Sequence, residues 1–344
     1  MVFRGLQMSS APPVPANASS KLVRRFELAG LDAGLAGLDA SLAAEITAAL
    51  ESNHIVYFPR CPVPLPDEAT LRSLCMELPS RLRLKNISYH PRQQRLSGLN
   101  VEGGSDPALH ARTTAVLREH LQAVRAFLAR VVPHLYAGWT DGKCSFRPMQ
   151  ERGRNLPPHA SNELVHIDAG AYGATDGDRI LRFFVNINER EDRVWASKGT
   201  LQRLLERHGA EAGLFDASGR LRVRIEKNAV DHLRSFAVQR LARFNELARA
   251  LDSSPYDRAM RRLHNYMKDS DDFKADRDGY EEIRFPPGSA WMLFTDGVTH
   301  ASVSGQFALV TTVAVRRSAL HHPEFAPYSL LAGRAAGRAP PPSA

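Results

Sequence analysis

A chain of 344 residues, 43% hydrophobic and 24% charged, has ample material for a core, which excludes a disordered or fibrous protein. No apolar run approaches the ~20 residues that cross a bilayer, and the first 20 residues hold no signal-peptide segment, so the expected location is intracellular. A net charge of +8 and a pI near 9.6 point to anionic partners, while Cys61, Cys75 and Cys144, without CxxC spacing, are expected as free thiols.

Residues 1–20 and 332–344 read as disordered tails around one domain at 21–331, which holds no internal repeat or flexible linker. In chain order, "DASLAAEITAALES" predicts a helix capped by Asp39, and "HIVYFP" a strand. "DEATLRSLCMEL" predicts a second, short helix. "DPALHARTTAVLREHLQAVRAFLARVVPHLY" predicts one long amphipathic helix with Pro107 in its first turn. Beyond it, "CSFRPMQ", "ELVHIDA", "RILRFFVNIN", "SAWMLFTD" and "QFALVTTVAVR" are β-rich. A helical insertion at about 197–275 separates the third of these from the fourth. Its pieces are "SKGTLQRLLERHG", "NAVDHLRSFAVQRLARFNELARAL" and "YDRAMRRLHNYMKDSDDFK". Helices first, strands behind and a helical insert between strands predict an α+β fold with a β-sandwich or barrel core.

His166 and Asp168 stand two apart in "NELVHIDAGAY". On a strand their side chains share a face. The pair is then either a hydrogen-bonded couple or two-thirds of a metal site. His300 follows "TDGVT" just before an expected hairpin turning at Ser304 and Gly305. Two histidines and one carboxylate of this pattern make up the facial triad of non-haem Fe(II) oxygenases, which leaves three coordination positions for a 2-oxo acid and O2. Such an enzyme needs a cation for the distal carboxylate of its co-substrate, and a bidentate arginine suits it best. Arg182 in "RILRFF", Arg147 in "CSFRPM" and Arg316 on the last strand are the candidates.

The stretches "ELVHIDA", "RFFVNIN", "YDRAMRRLHNYMKDSDDF", "PPGSAWMLFTDGVTHASVSGQFAL" and, at residues 84–98, "LKNISYHPRQQRLSG" resemble Kdo 3-hydroxylases of Gram-negative bacteria. The resemblance covers most of the chain between the tails. It implies a double-stranded β-helix (jelly-roll, cupin-like) core with N-terminal helices and the helical insertion. It also implies Fe(II), 2-oxoglutarate and O2, with ascorbate as reductant. The implied reaction is hydroxylation at C3 of a Kdo (3-deoxy-D-manno-oct-2-ulosonic acid) sugar in lipid A or the lipopolysaccharide core, giving Ko. Carried over, His166, Asp168 and His300 are the iron ligands. Many enzymes of the wider superfamily place the 2-oxoglutarate arginine about ten residues after the distal histidine; here that region reads "FALVTT". This shifts the expectation from Arg316 to Arg182, with Arg147 assisting. His90 also stands where the resemblance suggests an aspartate.

The basic balance then matches an acceptor bearing a sugar carboxylate and lipid phosphates. Lys85, Asn86, Ser88, His90 and Arg92, with His264 and Lys268 from the insertion, are the expected acceptor-binding residues. The expected location is cytoplasmic, peripheral to the anionic inner membrane, with no nucleic-acid partner. Two readings stay beside the hydroxylase: a cupin-type metalloenzyme without 2-oxoglutarate, and a non-catalytic basic module for lipid or nucleic acid.

Overall fold

The computed structural model describes residues 17, 19–28, 38–99, 106–170, 175–241, 252–338 and 341. Most of the expected N-terminal tail lies outside them. β1 (Val23–Arg25) is followed by α1 (Ala40–Glu51), whose first turn is capped where Ser41 N donates to Asp39. β2 (Ile55–Phe58), α2 (Glu68–Glu77), β3 (Ile87–His90) and β4 (Arg95–Ser97) come next. The expected single long helix is two: α3 (Pro107–Val131) and α4 (Pro133–Ala137). Proline lacks an amide hydrogen and excludes helical backbone from the residue before it, and Val132 accordingly sits at φ −136°, ψ 63°.

β5 (Trp139–Arg147), β6 (Arg179–Asn186) and β7 (Arg193–Ser197) lead into the insertion, made of α5 (Leu201–His208), α6 (Ala229–Leu241), α7 (Pro255–Asp269) and α8 (Asp271–Ala275). The expected helical stretch 242–251 lies outside the described residues. β8 (Glu281–Phe285), β9 (Ala290–Phe294), β10 (Ala301–Ser304) and β11 (Ala308–Val315) complete the sheets. α9 (Pro327–Ala335) carries helix past residue 331, where the sequence predicts the tail to begin.

One sheet runs β1-β2-β9-β6-β11-β5-β3-β4 and the other β10-β7-β8. Consecutive strands β10 and β11 belong to different sheets, so the expected hairpin at Ser304–Gly305 is instead a crossing between layers. Two layers, antiparallel except where β1 runs parallel to β2, joined in this way form a jelly roll. Between them lies an aromatic core of Phe184, Trp195, Phe285 and Trp291. The opposite face of the large sheet presents Phe183, Val185, Met292 and Leu309 to α1 and α3, with Phe127 against Phe58 and Phe183. Strand alternation therefore sends 181, 183 and 185 to the helices, and 182 and 184 to the interior of the roll.

In the insertion, α7 starts with a capping box between Ser254 and Asp257 and has Pro255 at its first position. Tyr256, Met260, Leu263 and Met267 recur at helical spacing and bury one face against Leu204, Leu205 and Phe273. Each such side chain contributes roughly 1.5–3 kcal/mol on burial. The adjacent stripe of α7 carries His264 and Lys268 to the open end of the roll.

Candidate metal centre and its pocket

The expected strand at 163–169 does not form. His166 exchanges backbone hydrogen bonds with His300 (3.0 and 2.8 Å), whereas Asp168 N donates to Thr295 O at 2.9 Å. The segment is extended but shared between the end of β9 and the start of β10, so no continuous ladder develops. Its i, i+2 parity survives. The donor atoms of His166, Asp168 and His300 all lie within 4.8 Å of one another.

The histidine tautomers follow from their neighbours. His166 Nδ1 lies 2.8 Å from Leu164 O, and His300 Nδ1 lies 3.0 Å from Val298 O. A carbonyl only accepts, so each Nδ1 carries the proton and each Nε2 keeps a lone pair, as metal-ligating histidines require. Burial pushes both imidazoles down, His300 to about 4, which keeps them neutral. Trp195 stacks on the His300 ring at 5.3 Å and holds its plane.

Burial raises the Asp168 carboxyl, but Arg182, His300 and His166 together pull it well below the usual carboxylate range. Arg182 Nη2 stands 2.7 Å from Asp168 Oδ2 as an ion pair. That contact is not aligned as a hydrogen bond, so Oδ2 is buried without a donor. Two neutral imidazoles and an ionised carboxylate with an unsatisfied oxygen suit a divalent ion such as Fe(II).

The three residues floor a cavity of about 270 Å³. Rows across the large sheet build its wall: Arg182–Thr312–Lys143, then Phe184–Val310–Ser145, with Arg147 one step further along β5. Arg147 is 8% exposed, lies 5.6 Å over the Phe184 ring, and is pushed down to about 10 by burial. The Nε atoms of both Arg147 and Arg182 are buried without partners. Beneath them, buried Glu151 accepts from Arg193 (2.9 Å) and Asn162 (3.1 Å). The wall carries five Lys and Arg side chains (85, 143, 147, 182 and 268) against the single carboxylate of Asp168. Even before a dication is added, this pocket is built for anions.

Of the expected acceptor residues, Lys85, Asn86, His264 and Lys268 line the cavity. Lys85 Nζ donates to Ala160 O (2.5 Å) and Asn162 Oδ1 (2.7 Å), and Lys268 Nζ to Ser161 O (2.8 Å) and His159 O (3.0 Å). Burial lowers both ammonium groups to about 8. His264 Nδ1 lies 2.7 Å from Ile167 O, and its ring stands edge-on to His166.

Ser88, His90 and Arg92 are not part of the lining. Ser88 shares a 2.8 Å hydrogen bond with Ser145, one strand further from the centre. His90 Nε2 lies 2.9 Å from Ser97 Oγ, and Arg92 donates to Thr140 O. β3 carries Ser88 and His90 toward the sheet edge, and Arg92 lies in the turn between β3 and β4. Arg316 is likewise excluded: it is exposed, four residues beyond Thr312 and about 13 Å along the strand direction. Sequence reasoning missed Lys143 and Ser145, although "KCSFR" alternates polar and apolar residues in a way that gives them the same face as Arg147. Asn162, Trp195 and Ser302 carry no comparable signal.

A family model described as 3-deoxy-D-manno-oct-2-ulosonic acid (Kdo) hydroxylase matches residues 37–339. Solved structures of the Kdo hydroxylase KdoO, a non-haem Fe(II) α-ketoglutarate-dependent dioxygenase, share the architecture. Its complex with α-ketoglutarate and Fe(III) is 26% identical, with a TM-score of 0.73 and coverage of 92% of this chain and 96% of that one. The cobalt(II) complex is 25% identical, with a TM-score of 0.74 and coverage of 94% and 99%. Among curated proteins no sequence matches the chain.

Proposed function

The chain belongs to the Kdo hydroxylase family, and from that membership we propose that it hydroxylates C3 of a Kdo sugar in Kdo-lipid A or the lipopolysaccharide inner core to give Ko. It is an Fe(II)/2-oxoglutarate-dependent dioxygenase. Bound Fe(II) supplies O2 activation coupled to oxidative decarboxylation of 2-oxoglutarate to succinate and CO2, and ascorbate would keep the metal reduced.

In this reading His166, Asp168 and His300 hold the metal through two Nε2 lone pairs and one carboxylate. Their charge balance supports it: one carboxylate on a dication leaves a net positive centre for an anionic co-substrate. With Asp168 committed to a metal, Arg182 would be free to pair with the distal carboxylate of 2-oxoglutarate, with Arg147 beside it. Their unpartnered Nε atoms support that role. They also favour it over a cupin-type enzyme without 2-oxoglutarate, which has no use for two buried guanidinium groups at its metal. Lys85, His264 and Lys268, from the loop before β3 and from α7, face the acceptor. At about 270 Å³ the cavity is small by the ~300–1,000 Å³ of common ligand sites, so the lipid part of an acceptor stays outside it. The acceptor would be met at the cytoplasmic face of the inner membrane; no described helix is long and apolar enough to cross a bilayer.

The observation that carries the reading is the convergence of two neutral imidazoles and one ionised carboxylate under a five-cation wall. Succinate release from 2-oxoglutarate, measured with and without Kdo-lipid A, tests it. Strong stimulation by the Kdo lipid is expected; equal turnover with and without it would remove Kdo as the acceptor.

A further inference from the structure

The insertion leaves a surface that the pocket chemistry does not use. Val230 (71% exposed), Leu233 (70%) and Phe236 (58%) lie on α6, and the only other exposed large hydrophobics among the described residues are Met76 and Leu84. At 100° per residue these three, with Ala229 and Ala237, occupy one arc about 120° wide. The opposite side holds the helix down through polar contacts. Buried Ser235 donates to Asp252 at 2.8 Å, and Asp231 pairs with Arg224 (2.7 Å) and Arg258 (3.7 Å). α6 therefore turns its polar side inward and its apolar side to solvent, the reverse of a helix packed on a core.

Arginines border the arc. Arg234 lies at one edge, and the Arg240 guanidinium, one turn past Phe236 at the end of the stripe, stands 5.2 Å over the Phe236 ring. Cations flanking an exposed apolar stripe match the boundary between acyl chains and anionic headgroups. A second copy of the chain is the poorer occupant, because it would set the same cations against each other on molecules already at +8. Arg258 ties α6 to the start of α7, and Lys268 in the pocket wall lies ten residues further on, about 15 Å along that helix. α7 thus links the inward side of α6 to the pocket wall.

We propose that α6 seats the protein on an anionic bilayer, with Leu233 and Phe236 entering the acyl boundary and Arg234 and Arg240 meeting lipid phosphates. This rests on the reading of a lipid-linked acceptor. The test uses the full chain and vesicles of phosphatidylethanolamine with phosphatidylglycerol, against phosphatidylcholine alone. Wild type should bind the anionic vesicles, and Leu233→Ser/Phe236→Ser should weaken the partition roughly tenfold or more. Phe236→Trp should be quenched by brominated acyl chains, which surface adsorption by net charge alone would not produce. Unchanged partition in the double variant, or an unquenched tryptophan, overturns the proposal. So does a concentration-dependent dimer that the double variant dissolves, which would assign the stripe to self-association. Turnover of a water-soluble Kdo glycoside should be equal in wild type and the double variant. If wild type converts no Kdo acceptor at all, the hydroxylase reading fails, while the vesicle result still stands or falls alone.

Discussion

On α3, His120 is 2% exposed and neither ring nitrogen has a hydrogen-bond partner. Burial lowers its pKa from 6.5 to about 4. Between those values the unfolded chain binds the proton and the folded chain does not, so stability falls as pH drops from 6.5 toward 4. The loss from this residue reaches about 2 kcal/mol at pH 5. His120→Leu should therefore stabilise the protein more at pH 5 than at pH 8, as read by urea unfolding; an equal effect at both would contradict the assignment. Arg182 and Arg147 make a second contrast at this scale. A point charge replaces a bidentate fork poorly, so Arg182→Lys should raise the KM for 2-oxoglutarate by about tenfold. An unchanged KM there, with a raised one in Arg147→Lys, would transfer the role to Arg147. Arg182 was legible from sequence as a charge among "RILRFF" apolar neighbours. Arg316, already the weaker expectation, lies just past the end of β11 at Val315 and outside the pocket.

Among elements, the loop from β9 to β10 positions His300, and a buried network fixes its start. Arg179 Nε donates to Asp296 Oδ2 at 2.8 Å and Nη2 to Asn53 Oδ1 at 2.8 Å, joining the loop to the turn after α1. Both charges are almost fully buried, at 0% and 2% exposure. Asp296→Ala leaves Arg179 unpaired and should cost about 3–5 kcal/mol of stability. A loss under about 1 kcal/mol, the range of a surface pair, would refute the network's role. This network was invisible in sequence, since 117 residues separate Arg179 from Asp296. The helices were the more legible elements, because the Asp39 cap and Pro107 in a first turn are local signals. The segment around His166 was not. Its amides bond to two places, His300 and Thr295, and no periodicity within "ELVHIDA" records that division. The spacing of His166 and Asp168 nevertheless pointed to a shared face, since extended backbone alternates with or without a ladder.

For the whole molecule, three hydrophobic clusters pack the helices, the roll and the insertion, and none of them includes a metal ligand. Apo protein should stay folded, with added metal acting as a ligand of the native state. Co(II) at 100 times its Kd would add about 2.7 kcal/mol, a rise in Tm of roughly 3–5 °C for a chain of this size. Asp168→Ala should abolish that rise while keeping native circular dichroism; an undiminished rise would remove Asp168 from the metal site. The jelly-roll core was foreseen from β-rich segments and from family resemblance together, whereas the passage of β10 and β11 into different sheets depends on tertiary pairing. The most direct measurement is mass spectrometry of Kdo-lipid A incubated with the protein, Fe(II), 2-oxoglutarate and O2. The account predicts one oxygen atom gained on the Kdo residue, one succinate formed for each, and neither with Asp168→Ala. Succinate formed with no oxygen in the lipid, or an oxygen gained outside Kdo, would contradict it.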